Sequence, residues 1–291
     1  MQIAYHLGVH CTDEERLLRS LLKNRGVLAR DGIAVPGPAR YRNLIRETAV
    51  SLDGRRASAD TQNFVLDQIL ESDESFERLI LSWDNFLAFP PWALRHTLYP
   101  SAGRRVQSLA QIFPDHETEF HLAIRNPASF LPALFSKQKG KSYKDFMQDV
   151  HPQDIFWSET ITDIAATNPG IPIHVWCDED TPLIWPEVLS TVSGHRPETQ
   201  LIDGESMLVS LLSPEGLDQL NEKLLQSPPA DATAWRKIAA ECLENHGLPS
   251  KVDVAVELPG WTQDMFDVLT FQYDQDLSRI ATLPNVLLTL P

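Results

Sequence analysis

The 291-residue chain has few cysteines and a shortage of basic residues. Cys11, Cys177 and Cys242 are scattered and form no C-x-x-C pair, so we expect neither a disulfide framework nor a zinc knuckle. Lys and Arg number 25 against 40 Asp and Glu, which gives a formal charge of −15. This acidic balance argues against a nucleic-acid-binding protein, because such proteins neutralise phosphates with a basic surface.

Long apolar segments are also missing. No apolar run approaches the roughly 18 residues that a membrane-spanning helix requires, and the N-terminus lacks a basic stretch followed by an apolar one, as a signal peptide would have. There is no Asn-x-Ser/Thr sequon either. With cysteines that suit a reducing compartment, these absences predict a cytoplasmic protein that has no membrane partner.

The pattern that is present alternates short apolar runs with helical segments, such as 13–29 and 127–136. Such alternation predicts an α/β fold, a three-layer sandwich with a central, mainly parallel sheet. Beyond residue 200 the pattern becomes helical. We therefore expect an α/β domain over 1–200 and a mainly helical C-terminal extension over 201–291 that packs on it. The predicted strands are 2–7, 32–36, 78–83, 119–125 and 172–177.

The first predicted strand runs into a glycine turn and a helix start, in "YHLGVHCTDEERLL". Such a junction commonly holds a phosphate, but the lysine of a Walker A motif is missing, which excludes an ordinary P-loop NTPase. Thr12 and Glu15 instead predict a capping box with Thr12 as the N-cap, and Asp13 and Glu14 suit the positive end of the helix dipole. A phosphate about 4 Å from Asp13 would cost about 4 kcal/mol at an effective dielectric of ~20.

A longer stretch, "HLGVHCTDEERLLRSLLKNRGVLARDGIAVP", resembles the start of bacterial sulfotransferase-like proteins. Their pattern is approximately H-L-G-x-H-K-T-G-T-T-x-L. Cys11 stands where that family has the lysine that contacts the sulfate donor, and an acidic run at 13–15 replaces Gly-Thr-Thr. The positions that match the pattern are His6, Leu7, Gly8, His10 and Thr12.

A second stretch, "HLAIRNPASF", is similar to the family's R-[DN]-P signature. The resemblance, which covers roughly residues 1–195, implies that Arg125 holds the 3′-phosphate of the donor, 3′-phosphoadenylyl sulfate. Ala133 stands where cytosolic members have a serine, and Ser129 is the nearest hydroxyl. Arg125 would otherwise form a salt bridge with a surface carboxylate.

The resemblance thus implies that the three-layer sandwich is P-loop-like. It also implies a site for 3′-phosphoadenylyl sulfate or its product adenosine 3′,5′-bisphosphate, with no metal. His10 is the candidate general base for an acceptor hydroxyl, although it could equally cap or pack. His6, His10 and Cys11 lack metal-ligand spacing. The predicted cofactor-binding residues are Gly8, Val9, His10, Cys11, Thr12, Asp13, Arg125 and Ser129.

Two further features concern the substrate. The segment "SKQKGKSYK" carries Lys137, Lys139, Lys141 and Lys144, and it is either a solvated loop or a patch that steers an anionic or carbohydrate acceptor. Trp83 at the end of a predicted strand either stacks on a ring or belongs to the core. We expect either a sulfotransferase-like enzyme that acts on a carbohydrate or small hydroxyl acceptor, or a catalytically inactive relative that binds a partner. The substitutions in the first loop favour the inactive relative.

Overall fold

A computed structural model describes the chain except for residues 71–74, 253–257 and 259. Its centre is a six-stranded parallel sheet in the order β2-β3-β1-β6-β7-β8. A short antiparallel hairpin, β4-β5, lies outside that sheet. The strands are β1 Gln2–His6, β2 Ile33–Ala34, β3 Arg78–Ser82, β4 Leu94–Arg95, β5 Thr97–Leu98, β6 Glu117–Ile124, β7 Ile173–Cys177 and β8 Val286–Thr289.

Helices cover both faces of the sheet, as a parallel sheet requires. The helices of the described residues are α1 Arg16–Lys23, α2 Arg25–Arg30, α3 Pro38–Leu52, α4 Ala59–Ile69, α5 Ala102–Ala110, α6 Pro127–Ser136, α7 Tyr143–Met147, α8 Trp157–Thr167, α9 Thr181–Ser193, α10 Ser206–Val209, α11 Pro214–Gln226, α12 Ala232–His246, α13 Pro249–Val252 and α14 Gln263–Ile280. None of them is both long and apolar enough to cross a membrane.

Alternate residues of the strands divide the core into two layers. Ile3 and Tyr5 of β1 belong to the larger core, with residues of α3, α4, α5, α6, α8 and α14. Ala4, between them, belongs to the second core, where Leu17 of α1 and Trp185 of α9 are buried. This period-two alternation along strands that are buried on both faces produces the three-layer sandwich.

The strand order places the candidate site. From β1 the chain crosses to β2 and β3 on one side of the sheet, and from β6 it continues to β7 and β8 on the other. The loops that follow the neighbouring strands β1 and β6 therefore diverge, and a crevice between diverging loops is where open α/β sheets bind ligands. The loop after β1 and Arg125, directly after β6, lie at this point.

The predicted three-layer α/β sandwich is confirmed, and all five predicted strands are found within two residues of their expected ends. The helix predicted over 13–29 is two helices, α1 and α2, with Asn24 between them. The sixth strand, β8, was not predicted, and it pairs with β7 although it lies in the region expected to be helical. Helices α10 to α12 share a small core of their own, and the boundary at residue 200 stays a prediction.

Candidate functional site

The loop after β1 turns sharply and is packed against the segment that follows β3. Gly8 has φ 54°, and a Cβ atom on it would lie 2.8 Å from Cα of Asp84. Only glycine tolerates both that backbone conformation and that contact. Gly8 is therefore explained by the packing of two loops, with no phosphate needed to account for it.

The predicted capping box is wrong. Helix α1 begins at Arg16, and its N-cap is Glu15, which is left-handed with φ 64° and makes no side-chain capping bond. Thr12 Oγ1 donates instead to the carbonyl of Val9 at 2.7 Å. The first helical turn is satisfied by Asp13, whose Oδ2 accepts the Leu17 N–H at 2.8 Å. The turn at Cys11, with φ 61°, delays the helix past Thr12, so that the spacing of a capping box is lost.

Arg125 fastens this loop to helix α6. Its Nε donates to Ser129 Oγ at 2.9 Å, and its Nη1 donates to the carbonyl oxygen of Cys11. Ser129 in turn donates to the carbonyl of Asn126 at 3.2 Å. The structure thus brings together Arg125, Ser129 and Cys11, as predicted for the site, but much of the guanidinium is already occupied by the protein itself.

The charge of the same guanidinium acts on two carboxylates, Asp178 and Glu179. Burial raises the pKa of Asp178, directly after β7, to about 7, although the charge of Arg125 opposes the rise. Glu179, Asp13 and Glu14 are near enough to raise that pKa further. We call Arg125 and these four carboxylates the Arg125 cluster. Nothing in the sequence of segment 177–180 showed that it would meet Arg125.

The residues of the Arg125 cluster do not fit a phosphate group. The loop supplies no cation, and Glu179 Oε1 already accepts the N–H of Asn126, at 2.7 Å, at the start of α6. That N–H is one of the donors that would otherwise face an anion at a helix start. A dianion placed beside Arg125 would meet several like charges at short range, which is unfavourable even at a partly solvated site.

His10 is held inside the protein. Its side chain is 1% exposed, Nδ1 lies 2.8 Å from the hydroxyl of Tyr99, and Nε2 lies 3.3 Å from Asn85 Oδ1. The Tyr99 hydroxyl also accepts the His10 backbone N–H at 3.3 Å, so we assign its proton to Nδ1 and the ring proton to Nε2. Burial lowers the pKa of His10. Both ring nitrogens thus have protein partners, and the role of His10 as a general base stays a prediction.

Lys137 brings a positive charge to the loop from the end of α6. Burial raises the pKa of the Cys11 thiol, whereas the nearby charges of Lys137 and Arg125 lower it. Lys137 similarly lowers the pKa of His10. Lys137 of the predicted basic patch is therefore near enough to act on both groups, and it is exposed, as Lys139 and Lys141 are.

A second group of charges lies within the sheet and was not predicted. Glu119 Oε1 lies 2.6 Å from His121 Nε2 and also pairs with the guanidinium of Arg78. Arg78 donates in addition to the carbonyl of Val192 at the end of α9, 3.1 Å from Nε. The ring of His174 stacks on that of His121, with 4.7 Å between centroids. We call Arg78, Glu119, His121 and His174 the Arg78 cluster.

The Arg78 cluster has the donor atoms of a metal site but holds a cation already. Ligand atoms of Glu119, His121 and His174 lie within 4.8 Å of one another. However, the guanidinium of Arg78 already pairs with the Glu119 carboxylate and supplies the positive charge that a metal ion would bring. The sequence did carry a signal, because "EFHLAIR" and "IPIHVW" alternate and therefore place these side chains on one face.

Comparison with known proteins adds one weak likeness. No family model matches the chain, and no curated protein does. A solved structure, a sulfotransferase from Alicyclobacillus acidocaldarius, aligns with 80% of this chain and 98% of its own, at 12% identity and a TM-score of 0.40. A likeness at that level assigns no activity to this chain, so its function has to be argued from its own residues.

Proposed function

We propose that this chain is a sulfotransferase-like protein with a closed donor site, which binds a partner or small molecule and does not transfer sulfuryl groups. The observation that carries the proposal is the Arg125 cluster. Its one guanidinium is bonded to Ser129 and to the loop carbonyl of Cys11, and its charge acts on the carboxylates of Asp178 and Glu179. Sulfuryl transfer would need preorganised positive charge at this place, and the cluster has an excess of negative charge.

A second candidate is an active sulfotransferase that uses 3′-phosphoadenylyl sulfate on a carbohydrate or small hydroxyl acceptor. The observation in its favour is Lys137, whose charge reaches Cys11 and His10. In this alternative, a lysine at the end of α6 stands in for the missing lysine of the loop. We rank it second because Lys137 lies on the exposed surface and the carboxylates remain.

Calorimetric titration with adenosine 3′,5′-bisphosphate distinguishes the two candidates. A closed site predicts no heat of binding up to millimolar nucleotide, for the wild type and for Arg125→Ala alike. The active enzyme predicts micromolar binding that both Arg125→Ala and Lys137→Ala weaken. Lys141→Ala is the matched control, because Lys141 belongs to the same exposed segment but is not among the charges that act on Cys11 or His10.

A gain-of-function variant tests how the site is closed. Asp178→Asn combined with Glu14→Gln removes two of the negative charges without changing the loop backbone. If charge alone closes the site, this variant binds the nucleotide and the wild type does not. Restoring Thr at positions 14 and 15 is the poorer test, because their φ angles of 50° and 64° are strained for a β-branched residue.

A further inference from the structure

A pocket of about 400 Å³ opens beside the segment that follows β3, between α3 and α5. Its volume lies within the range of small-molecule sites. Aromatic and arginine side chains dominate its lining: Trp83, Phe86, Phe89, Arg46, Arg104 and Arg105. Arg125 is not among the lining residues, so this pocket differs from the crevice between β1 and β6.

The arginines make the pocket locally basic in a strongly acidic chain. Three of them face a single carboxylate, Asp53. Asp53 lies 4.0 Å from Arg104, and both side chains are 82% exposed, so that ion pair stabilises little. Among the described residues, the ion pair that Arg46 forms is with its neighbour Glu47, at 3.4 Å and in solvent. An anion entering the pocket would thus meet positive charge that is not firmly neutralised.

Arg105 is the arginine of this pocket whose positive charge is least neutralised by carboxylates. It is half-buried, and its Nε and Nη2 donate to the backbone carbonyls of Phe86 and Asn85 at 3.1 and 3.4 Å. Burial lowers its pKa, and no carboxylate in the described part of the chain forms an ion pair with it. A guanidinium offers five N–H donors in a fixed plane. The two carbonyls orient that plane and leave donors for a ligand.

The aromatic residues supply a surface for a ring. Trp83 meets Phe86 and Phe89 edge to face, at centroid separations of 5.7 and 6.0 Å. Phe89 is 37% exposed, which leaves a large apolar side chain open to the pocket. Trp83 packs on the core, which is one of its two predicted roles, and it also lines the pocket. Its stacking on a ligand ring stays a prediction.

We propose that this pocket binds an organic anion that carries a ring, with its carboxylate, sulfate or phosphate on Arg105 and its ring against Trp83 and Phe89. Arg46 and Arg104 attract the anion from the pocket mouth. The proposal extends the binding role argued above but does not depend on the state of the Arg125 cluster. It identifies a class of ligand and involves no covalent step.

The test uses 2-naphthoate as a probe and 2-naphthamide as its uncharged counterpart, with binding measured by calorimetry on the whole chain. We expect saturable binding of the acid, and binding of the amide that is at least about tenfold weaker, as for a lost charge-assisted hydrogen bond. Equal binding of the two, or no saturable binding of the acid, overturns the proposal.

Variants locate the site. Arg105→Gln should weaken 2-naphthoate about tenfold or more, whereas Arg30→Gln, on an exposed position of α2, should change nothing. Because Arg105 also holds two backbone carbonyls, Ser108→Glu provides a second variant that leaves Arg105 in place and adds a repelling charge to the lining. Full affinity in the folded Ser108→Glu variant contradicts the assignment.

The experiment is independent of the nucleotide titration. If Arg105→Gln and Ser108→Glu weaken 2-naphthoate binding and Arg125→Ala leaves it unchanged, the pocket is the binding site whatever the state of the donor site. If 2-naphthoate loses affinity in Arg125→Ala but not in Arg105→Gln, the anion binds in the crevice, and the pocket proposal is wrong.

Discussion

In the Arg78 cluster one guanidinium meets one buried carboxylate and the carbonyl end of a helix, whereas in the Arg125 cluster one guanidinium faces several carboxylates. Arg78 is the first residue of β3 and Arg125 follows the end of β6, and β1 lies between these two strands in the sheet. The protonation states differ accordingly. Burial would raise the pKa of Glu119, but His121 and Arg78 outweigh that effect and lower it to about 2. Asp178 has no comparable partners, and burial raises its pKa to about 7.

This difference predicts opposite responses to pH. Burial lowers the pKa of His121 to about 4, so the Arg78 cluster contributes stability at neutral pH that is lost on acidification, as His121 and then Glu119 take up protons. The raised pKa of Asp178 acts in the other direction. Its contribution is complete below the ordinary aspartate pKa of about 3.9 and is lost as the pH rises through about 7.

The largest expected effect comes from removing the guanidinium of the Arg78 cluster. Arg78→Met leaves the buried Glu119 carboxylate with His121 but without its cationic partner, and it should lower the free energy of unfolding by about 3–5 kcal/mol. Urea denaturation at pH 7 measures it. The double variant Arg78→Met with Glu119→Gln should recover part of the loss. The control is Arg236→Met, which breaks a partly exposed pair with Glu187 and should cost about 1 kcal/mol or less. Equal losses of stability in Arg78→Met and Arg236→Met would contradict the special cost of breaking the buried pair.

Asp178→Asn should raise the free energy of unfolding, whereas Arg78→Met lowers it. The variant keeps a neutral side chain at all pH values, so it avoids the cost of a buried negative charge and should be more stable than the wild type at pH 8, by at most about 4 kcal/mol. The gain should shrink steadily towards pH 4. Denaturation at several pH values provides the curve, with the exposed Asp218→Asn as control. A gain that does not vary with pH would mean that packing, and not charge, explains it.

A smaller effect separates the roles of the loop carboxylates. Asp13→Ala removes the acceptor of the Leu17 N–H and should cost about 1 kcal/mol, as the loss of an N-cap does. Asp13→Asn keeps an acceptor, and we expect it to stay within a few tenths of a kcal/mol of the wild type. Glu15→Ala loses only the surface pair with Arg42 and should cost less than Asp13→Ala. A larger loss of stability for Glu15→Ala than for Asp13→Ala would instead support the capping box of Thr12 and Glu15, which contradicts the structure.

The sequence predicted the sheet well because strand signals are local. Buried runs such as 78–83 and 172–177 carry their period and composition with them. The edge strand β8 is only four residues long and follows a helix closely, so its sequence resembles the end of that helix. Its identity as a strand depends on pairing with β7, more than one hundred residues earlier, which no local pattern reveals.

The structure brings some of the predicted site residues together, and their roles in binding or catalysis stay predictions. Arg125, Ser129 and the loop at Cys11 do come together. The meeting of Asp178 with Arg125, and of Tyr99 and Asn85 with His10, depends on how distant segments pack at the strand ends. The delayed start of α1 depends on left-handed residues such as Cys11 and Glu14, which sequence rules assign mainly to glycine and asparagine.

Asn85 gives the two candidate sites a common member. Its side chain accepts a hydrogen bond from His10, and the same residue lines the pocket between α3 and α5. A ligand that turns the Asn85 amide would remove a hydrogen-bond partner from His10 and so change the proton affinity of its ring. Thermodynamic reciprocity then requires that protonation of His10 change the affinity for that ligand by the same factor. The pH dependence of ligand binding in the pocket would therefore reflect the protonation of His10, which nuclear magnetic resonance of its imidazole could follow.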